Sequence, residues 1–316
     1  MKAPGPWPGA DLFIDLSGRA KLRVSGGDRV RFINGQISND VRKASGFKAI
    51  EACVLNAKGK MEAHLFVRAD GDCFYLDAAP ELRPALQLRL ERYVIADDVI
   101  IEDVTDEFAL FHVLSANPVS VAGTSQQVRA RRFANDGHDL WVEAKNRDHV
   151  LEQLQQQFRF CDETCAEILR VEQGIPRWGC ELTNEIIPLE ANLEERAIDY
   201  AKGCYIGQET ISRMKMSGQR NKALCGLLAV EVGALSPGMR LRDDAGKEAG
   251  WITSAVSHPK FGQRLALGYV KRGFGSAGSR LQASDDGRTT SVKVQMVELP
   301  FSDSPVAAKA IRELRN

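Results

Sequence analysis

The chain has 316 residues, 44% of them apolar and 27% charged, with 42 basic residues against 42 acidic ones. Zero formal charge excludes a polycation built for nucleic acid or anionic membrane, and the composition excludes general disorder. No apolar run reaches the ~20 residues of a membrane span, and the length exceeds one ordinary core, so two or three domains are expected.

The opening MKAPGPWPGADLFIDL lacks the apolar core of a secretory signal. Seven cysteines, an odd number without framework spacing, suit reduced thiols and a cytoplasmic setting. Strands are expected at Leu12–Leu16 and Ala20–Val24. The Gly26-Gly27-Asp28 turn then leads into a short helix marked by Val30, Ile33 and Ile37. Further strands are expected near Ala49–Leu55, Met61–Arg68 and Cys73–Ala78, and Leu82, Leu86 and Leu90 mark a helix over about Pro80–Tyr93.

Strands near Val99–Val104 and Phe108–Leu114 precede a hairpin, Val128–Phe133 with Asp139–Glu143, and a helix over about Arg147–Phe158. Asp162 is placed to cap another helix, which Gly174 stops. Residues 175–221 read as irregular and punctuated by Gly and Pro, the style of functional loops. From Lys222 onward the pattern turns to β, with strands at Ala223–Val230, Trp251–Val256, Leu265–Val270 and Ser291–Val297, so a small barrel or sandwich is expected. The last residues read as a charged tail.

Gly273-Phe-Gly275-Ser-Ala-Gly278 matches a dinucleotide fingerprint in letters only. A pyrophosphate site needs a helix directly after it, and Ser279–Val297 is β-like instead. Cys161 and Cys165 have the spacing of half a metal site, but no second close pair accompanies them, and buried structural thiols are the simpler reading. No metal is expected. His64, His138 and His258 carry no nucleophile–base pattern.

Arg213, Lys215, Arg220 and Lys222 form a basic run that is either a solvated face or a seat for an anion such as phosphate, nucleic acid or a polycarboxylate tail. Arg170 and Glu172, near a helix end, suit carbonyl capping. If turned into a cavity, Arg170 suits a carboxylate and Glu172 an amino-heterocycle.

The densest stretch is Lys202–Glu209, KGCYIGQE, which reads as a shaped loop because Gly203 and Gly207 are poor in a helix interior. Cys204 is either structural or a reactive thiol; Lys202 would favour its thiolate and Glu209 would oppose it. No general-base partner is identifiable, so a protease-type nucleophile is unsupported.

KGCYIGQE resembles the K-G-C-[YF]-x-G-Q-E signature of the YgfZ-type folate-binding proteins, relatives of mitochondrial iron–sulfur assembly factors. Weaker similarity to the glycine-cleavage T-protein superfamily covers most of the chain. It runs through DLSGRAKLRVSGGDRVRFINGQISNDV, ILRVEQGIPRWGCEL, GWITSAVSHP and LALGYVKRG.

The resemblance implies an α+β fold of three domains set as a cloverleaf around a central folate funnel. A T-protein-like region over 1–220 would consist of two intertwined units, about 1–110 and 111–220. A C-terminal β-barrel over 221–300 and a tail over 301–316 would complete the chain. It implies tetrahydrofolate or a one-carbon derivative as ligand, with Arg170 and Asp139 as folate contacts and Glu172 and Arg213 as further candidates. Partners would be iron–sulfur proteins or their assembly machinery, with an indirect effect on tRNA modification and no membrane association.

True T-proteins carry an acidic pair where NAKGKMEAHL has Ala63-His64, and Glu62 beside it is offset to the other strand face. Aminomethyl transfer is therefore not expected. A transferase or demethylase with its acid moved to Glu62 or His64 stays as one alternative, and an RNA-binding module using the basic run as another. The balanced charge and the lack of an aromatic stacking cluster count against RNA.

Overall fold

The computed structural model describes residues 11–133, 136–231, 233–259, 263–285 and 291–303. Strands β1 (Leu12–Asp15), β2 (Ala20–Ser25), β3 (Ile50–Leu55), β4 (Met61–Asp70), β5 (Cys73–Ala78) and β6 (Ile100–Asp103) accompany helices α1 (Arg29–Gln36) and α2 (Arg83–Glu91). Next come β7 (Phe108–Leu114), β8 (Gln126–Ala130), β9 (Gly137–Glu143), α3 (Arg147–Gln157), β10 (Arg159–Phe160) and α4 (Glu163–Glu172). Two helices, α5 (Glu194–Ala197) and α6 (Gln208–Ser217), lead into β11 (Lys222–Ala229), β12 (Arg240–Arg242), β13 (Glu248–His258), β14 (Gln263–Lys271), β15 (Arg280–Ser284) and β16 (Ser291–Val297).

These strands form two five-stranded sheets, β3-β4-β5-β2-β6 and β10-β1-β7-β9-β8, and a closed six-stranded barrel, β11-β14-β13-β12-β15-β16. The expected α+β class and C-terminal barrel are both present. The chain does not fill its sheets in simple order: β1 leaves the first sheet to pair antiparallel with β7 and parallel with β10.

Apolar alternation explains the layers. In the first sheet Ala63, Leu65 and Val67 of β4 pack with Ile33 of α1 and with Leu86 and Leu90 of α2. In the second, Phe111, Val113, Leu140 and Val142 pack on Val150 and Leu154 of α3. A third cluster joins Leu55 and Met61 to Tyr205, Ile211, Leu224 and Tyr269, which fixes the barrel and the 182–211 segment to the first sheet.

The expected irregular region over 175–221 contains a ten-residue helix, α6. Only Ile211 of α6 is buried, so its sequence has almost no apolar period to reveal it. The short strands β12 and β15 likewise escape a reading based on apolar runs. Gly273–Gly278 leads into β15 and into no helix, as expected of a loop. Of the expected tail over 301–316, the start belongs to the fold, since Phe301 is buried in the third cluster, and residues from 304 onward lie outside the described residues.

Candidate functional site

The KGCYIGQE segment is a loop that becomes the start of α6. Gly207 has φ +86, and a Cβ there would lie 2.6 Å from the Asn56 carbonyl oxygen, so only glycine fits against the β3–β4 turn. Gly203 has nothing within contact range of a Cβ and carries no such constraint.

Lys202 is buried, and its ammonium donates to the carbonyls of Asn34 (2.6 Å), Ile37 (2.6 Å) and Asn39 (2.8 Å), closing the C-terminal end of α1. Burial lowers its pKa to about 8, with Asp40 and Asp199 opposing. Its donors are engaged with backbone, which corrects the expectation that it activates the neighbouring thiol. Cys204 is the one exposed cysteine of seven, all of them free. It borders a cleft of about 410 Å³ lined also by Arg31, Asn34, Gln36, Tyr93 and Asp97. Glu209 lies in the first turn of α6, exposed and paired with Arg213 one turn later.

The two sheets enclose a polar layer. Arg132, 6% exposed, sits between two carboxylates. It donates to Asp77 through Nη1 (3.0 Å) and Nη2 (2.7 Å), and to Asp139 through Nε (2.8 Å) and Nη2 (2.7 Å). Its guanidinium lies 4.1 Å over the Phe66 ring. Arg19 also pairs with Asp77, and His112 Nδ1 lies 2.8 Å from Asp139. Burial alone would raise both carboxyl pKa values, but the charge of Arg132 holds both below the usual carboxylate range.

Beside this group, the Arg68 guanidinium lies over the adjoining rings of Tyr75 (4.0 Å) and Trp141 (4.3 Å). Arg68 Nε and His112 Nε2 are buried without a hydrogen-bond partner among the described residues. At the layer's edge His64 Nε2 lies 2.7 Å from Glu51, whose other oxygen accepts from Arg196 (2.8 Å). Glu62 is held instead by Arg89 of α2, so it does not stand in for the missing acid at His64.

Arg170 and Glu172 lie elsewhere, between α4 and the barrel. The Arg170 guanidinium is surrounded by protein acceptors: Glu167 twice, Glu181, Ser254 and the Ile175 carbonyl. Glu172, also buried, lies 3.3 Å from His258. Neither joins the polar layer in this geometry.

The basic run is neutralised within the chain. Lys215 and Arg220 pair with Glu194, Lys222 with Glu190, and Arg213 with Glu209. Cys161 is buried and Cys165 half-buried. Among the described residues no group of three or more His, Cys, Asp or Glu is placed to hold a metal ion.

The structure therefore separates the expected residues into three places: Cys204, Lys202, Glu209 and Arg213 on one loop and the helix it starts, Asp139 between the sheets, and Arg170 with Glu172 against the barrel. Sequence reading missed Arg132, Asp77, Glu51, Arg196 and Arg68. A trace of them was present, since Glu51 and Asp77 are acids inside otherwise apolar strands. Their common partners were not visible, because Arg132 and Arg196 come from distant segments.

Residues 222–303 match the glycine cleavage T-protein C-terminal barrel domain. The chain is 27% identical to an aminomethyltransferase of Saccharopolyspora erythraea, over 92% of this chain and 86% of that protein. It is also 27% identical to the tRNA-modifying protein YgfZ of Yersinia pestis, over 67% of this chain and 69% of that one. The glycine cleavage system aminomethyltransferase T of Bartonella henselae shares the fold, with a TM-score of 0.81 at 18% identity, covering 93% of this chain and 87% of that one. No helix among the described residues is long and apolar enough to cross a membrane.

Proposed function

The chain belongs to the glycine-cleavage T-protein superfamily as a YgfZ-type member, and from that premise we propose that it binds a reduced folate and supports iron–sulfur proteins through the thiol of Cys204. The observation that carries the reading is the isolation of Cys204. It is the one cysteine left exposed, on a loop fixed at one end by Lys202 and at the other by Gly207. A thiol held open on a rigid support suits contact with a partner protein or its cluster. Such a role belongs in the cytoplasm, and its effect on tRNA modification is indirect, through cluster-dependent enzymes.

The polar layer between the sheets is the part of the molecule whose chemistry suits a folate. Its carboxylates are Asp77, Asp139 and Glu51, each paired with an Arg or His of the chain, its flat faces are Phe66, Tyr75 and Trp141, and two buried polar atoms there, Arg68 Nε and His112 Nε2, lack partners among the described residues. Folate would supply a planar donor edge and a one-carbon carrier. Arg170 and Arg213 lie outside this layer, Arg170 between α4 and the barrel and Arg213 on α6.

Ala63 and His64 at the position of the transferases' acidic pair argue against aminomethyl transfer, and Glu62 is tied to Arg89. A direct RNA interface is disfavoured because each cation of the basic run already faces a carboxylate.

Two measurements test the proposal. Calorimetry with tetrahydrofolate should show saturable binding, and none at millimolar ligand would end the folate reading. In a host lacking the gene, Cys204→Ala should fold and bind folate yet fail to restore iron–sulfur enzyme activity. Full complementation by that variant would end the thiol reading.

A further inference from the structure

Cys161 and Cys165, whose spacing is that of half a metal site, meet at the start of α4, and no third ligand among the described residues completes a metal site with them. Cys161 is the last residue before the helix cap. Its N–H donates to the Phe13 carbonyl (2.9 Å), which continues the pairing of β10 with β1. Asp162 then caps the helix, with Oδ1 accepting from the Cys165 N–H (2.8 Å) and its carbonyl accepting from the Ala166 N–H (2.8 Å). The chain turns around this cap, so both cysteine side chains join one apolar cluster with Leu12, Leu114 and Leu169.

The two thiols share a hydrogen bond, yet they are not equivalent. Cys161 is 1% exposed, whereas Cys165 is half-buried in the first turn, where free backbone N–H groups favour a thiolate. The shared bond, together with burial, raises Cys161 above the ordinary thiol range. The same bond, reinforced by the Arg159 charge, lowers Cys165 against the opposition of burial and Asp162. A core position needs only shape from a cysteine. One reachable, polarised sulfur with a second directly behind it is what thiol–disulfide exchange needs.

We propose that Cys161 and Cys165 form a two-electron dithiol site that exchanges with a small anionic disulfide of the glutathione type, Cys165 attacking and Cys161 resolving. The Cys165 thiolate attacks one sulfur of the small disulfide, forms a mixed disulfide and expels the other sulfur as a thiolate, which takes up a proton. Cys161 then releases its proton to solvent, attacks Cys165 Sγ and displaces the second small thiolate, which is protonated in turn. The products are one Cys161–Cys165 disulfide and two small thiols, so the two electrons and two protons lost by the pair are gained by the small disulfide. Arg159, exposed on β10, suits the carboxylates of such a ligand. This site depends neither on the folate reading nor on Cys204.

The test uses the full chain and glutathione disulfide, read peptide by peptide by mass spectrometry after free thiols are blocked, so that reaction at Cys204 is counted separately. In wild type the Cys161–Cys165 segment should become two hydrogens lighter without retaining glutathione, and dithiothreitol should reverse the change. In Cys161→Ser the mixed disulfide should persist on Cys165. In Cys165→Ser, glutathione uptake at Cys161 should be at least about tenfold slower than uptake at Cys165 in Cys161→Ser. Faster uptake at Cys161 than at Cys165, or glutathione that stays on Cys165 in wild type, overturns the proposal.

If either variant does not fold, the wild type decides through two further probes. Phenylarsine oxide, which bridges paired thiols, should protect both Cys161 and Cys165 of the native chain from alkylation. Iodoacetamide alone should label Cys165 at least about tenfold faster than Cys161. Equal labelling of the two, labelling only after unfolding, or no protection by the arsenical makes the pair a part of the core and overturns the proposal.

Discussion

Arg170→Ala separates a ligand contact from a structural node. Arg170 is 4% exposed, and its partner Glu181 is fully buried at 0%. Truncation removes the donor at 3.0 Å from Glu181 and the donor at 2.6 Å from Ser254, and it also frees Glu167. Glu181 keeps two neutral donors, the Ser254 hydroxyl (2.6 Å) and the Arg177 backbone N–H (3.0 Å), so it is not fully stranded. Breaking a buried ion pair from one side costs about 3–5 kcal/mol, and the two remaining donors place the expected loss near 3 kcal/mol. Urea unfolding monitored by tryptophan fluorescence should show that loss as a lower midpoint with little change in slope. Folate affinity should stay near wild type in the folded fraction. A variant of wild-type stability that has lost folate binding would refute this reasoning and return Arg170 to the ligand site.

Lys202→Met should cost about 2–3 kcal/mol, because three charge-assisted bonds to the end of α1 are lost while an ammonium no longer needs burial. Native alkylation of Cys204 should change by less than about twofold; a large slowing would mean that Lys202 activates the thiol after all. Asp139→Asn should destabilise by about 2–4 kcal/mol at neutral pH. Because the folded-state pKa of Asp139 is depressed below its ordinary 3.8, that difference should be complete above about pH 4 and vanish as pH falls through the lower folded value. A gap between the two proteins that stays constant down to pH 2 would contradict the assigned ion pairing. Cys204→Ala should alter stability by under about 1 kcal/mol, as expected of an exposed loop side chain, and a larger loss by urea titration would mark it as structural.

Much of the fold was legible because its strands and core helices alternate apolar and polar residues at clean periods. Leu82, Leu86 and Leu90 all point into one core, and Asp162 caps α4 by accepting from the Cys165 backbone N–H. Helix α6 was not legible, since its exposed faces leave Ile211 as the only buried side chain and a left-handed glycine stands at its start. The site divided in the same way. A motif of contiguous letters located Cys204. The polar layer has no motif, because Arg132, Asp77, Asp139 and His112 are brought together by the pairing of β7 with β9 and the packing of one sheet on the other. Arg170 is the opposite case: its segment matched a motif, and in the fold its donors meet Glu167, Glu181 and Ser254.

The two parts of the candidate site are joined by one short segment. Residues 34–39 present carbonyls to Lys202 on one side. On the other, Asn39 donates to the backbone carbonyls of Glu51 and Arg196, whose side chains pair at the edge of the polar layer. Ser38 adds a hydroxyl that donates to the Ala197 carbonyl and accepts from the Cys53 N–H. These bonds fix the thiol loop and the edge of the inter-sheet layer to the same backbone, so a ligand that engages Glu51 or Arg196 acts on a segment Lys202 also holds. The order of letters in the loop then has a mechanical sense. Lys202 anchors it to α1, Tyr205 fills the central core, Gly207 docks it on the β3–β4 turn, and Cys204 between them is the side chain left facing solvent beside the exposed Gly203.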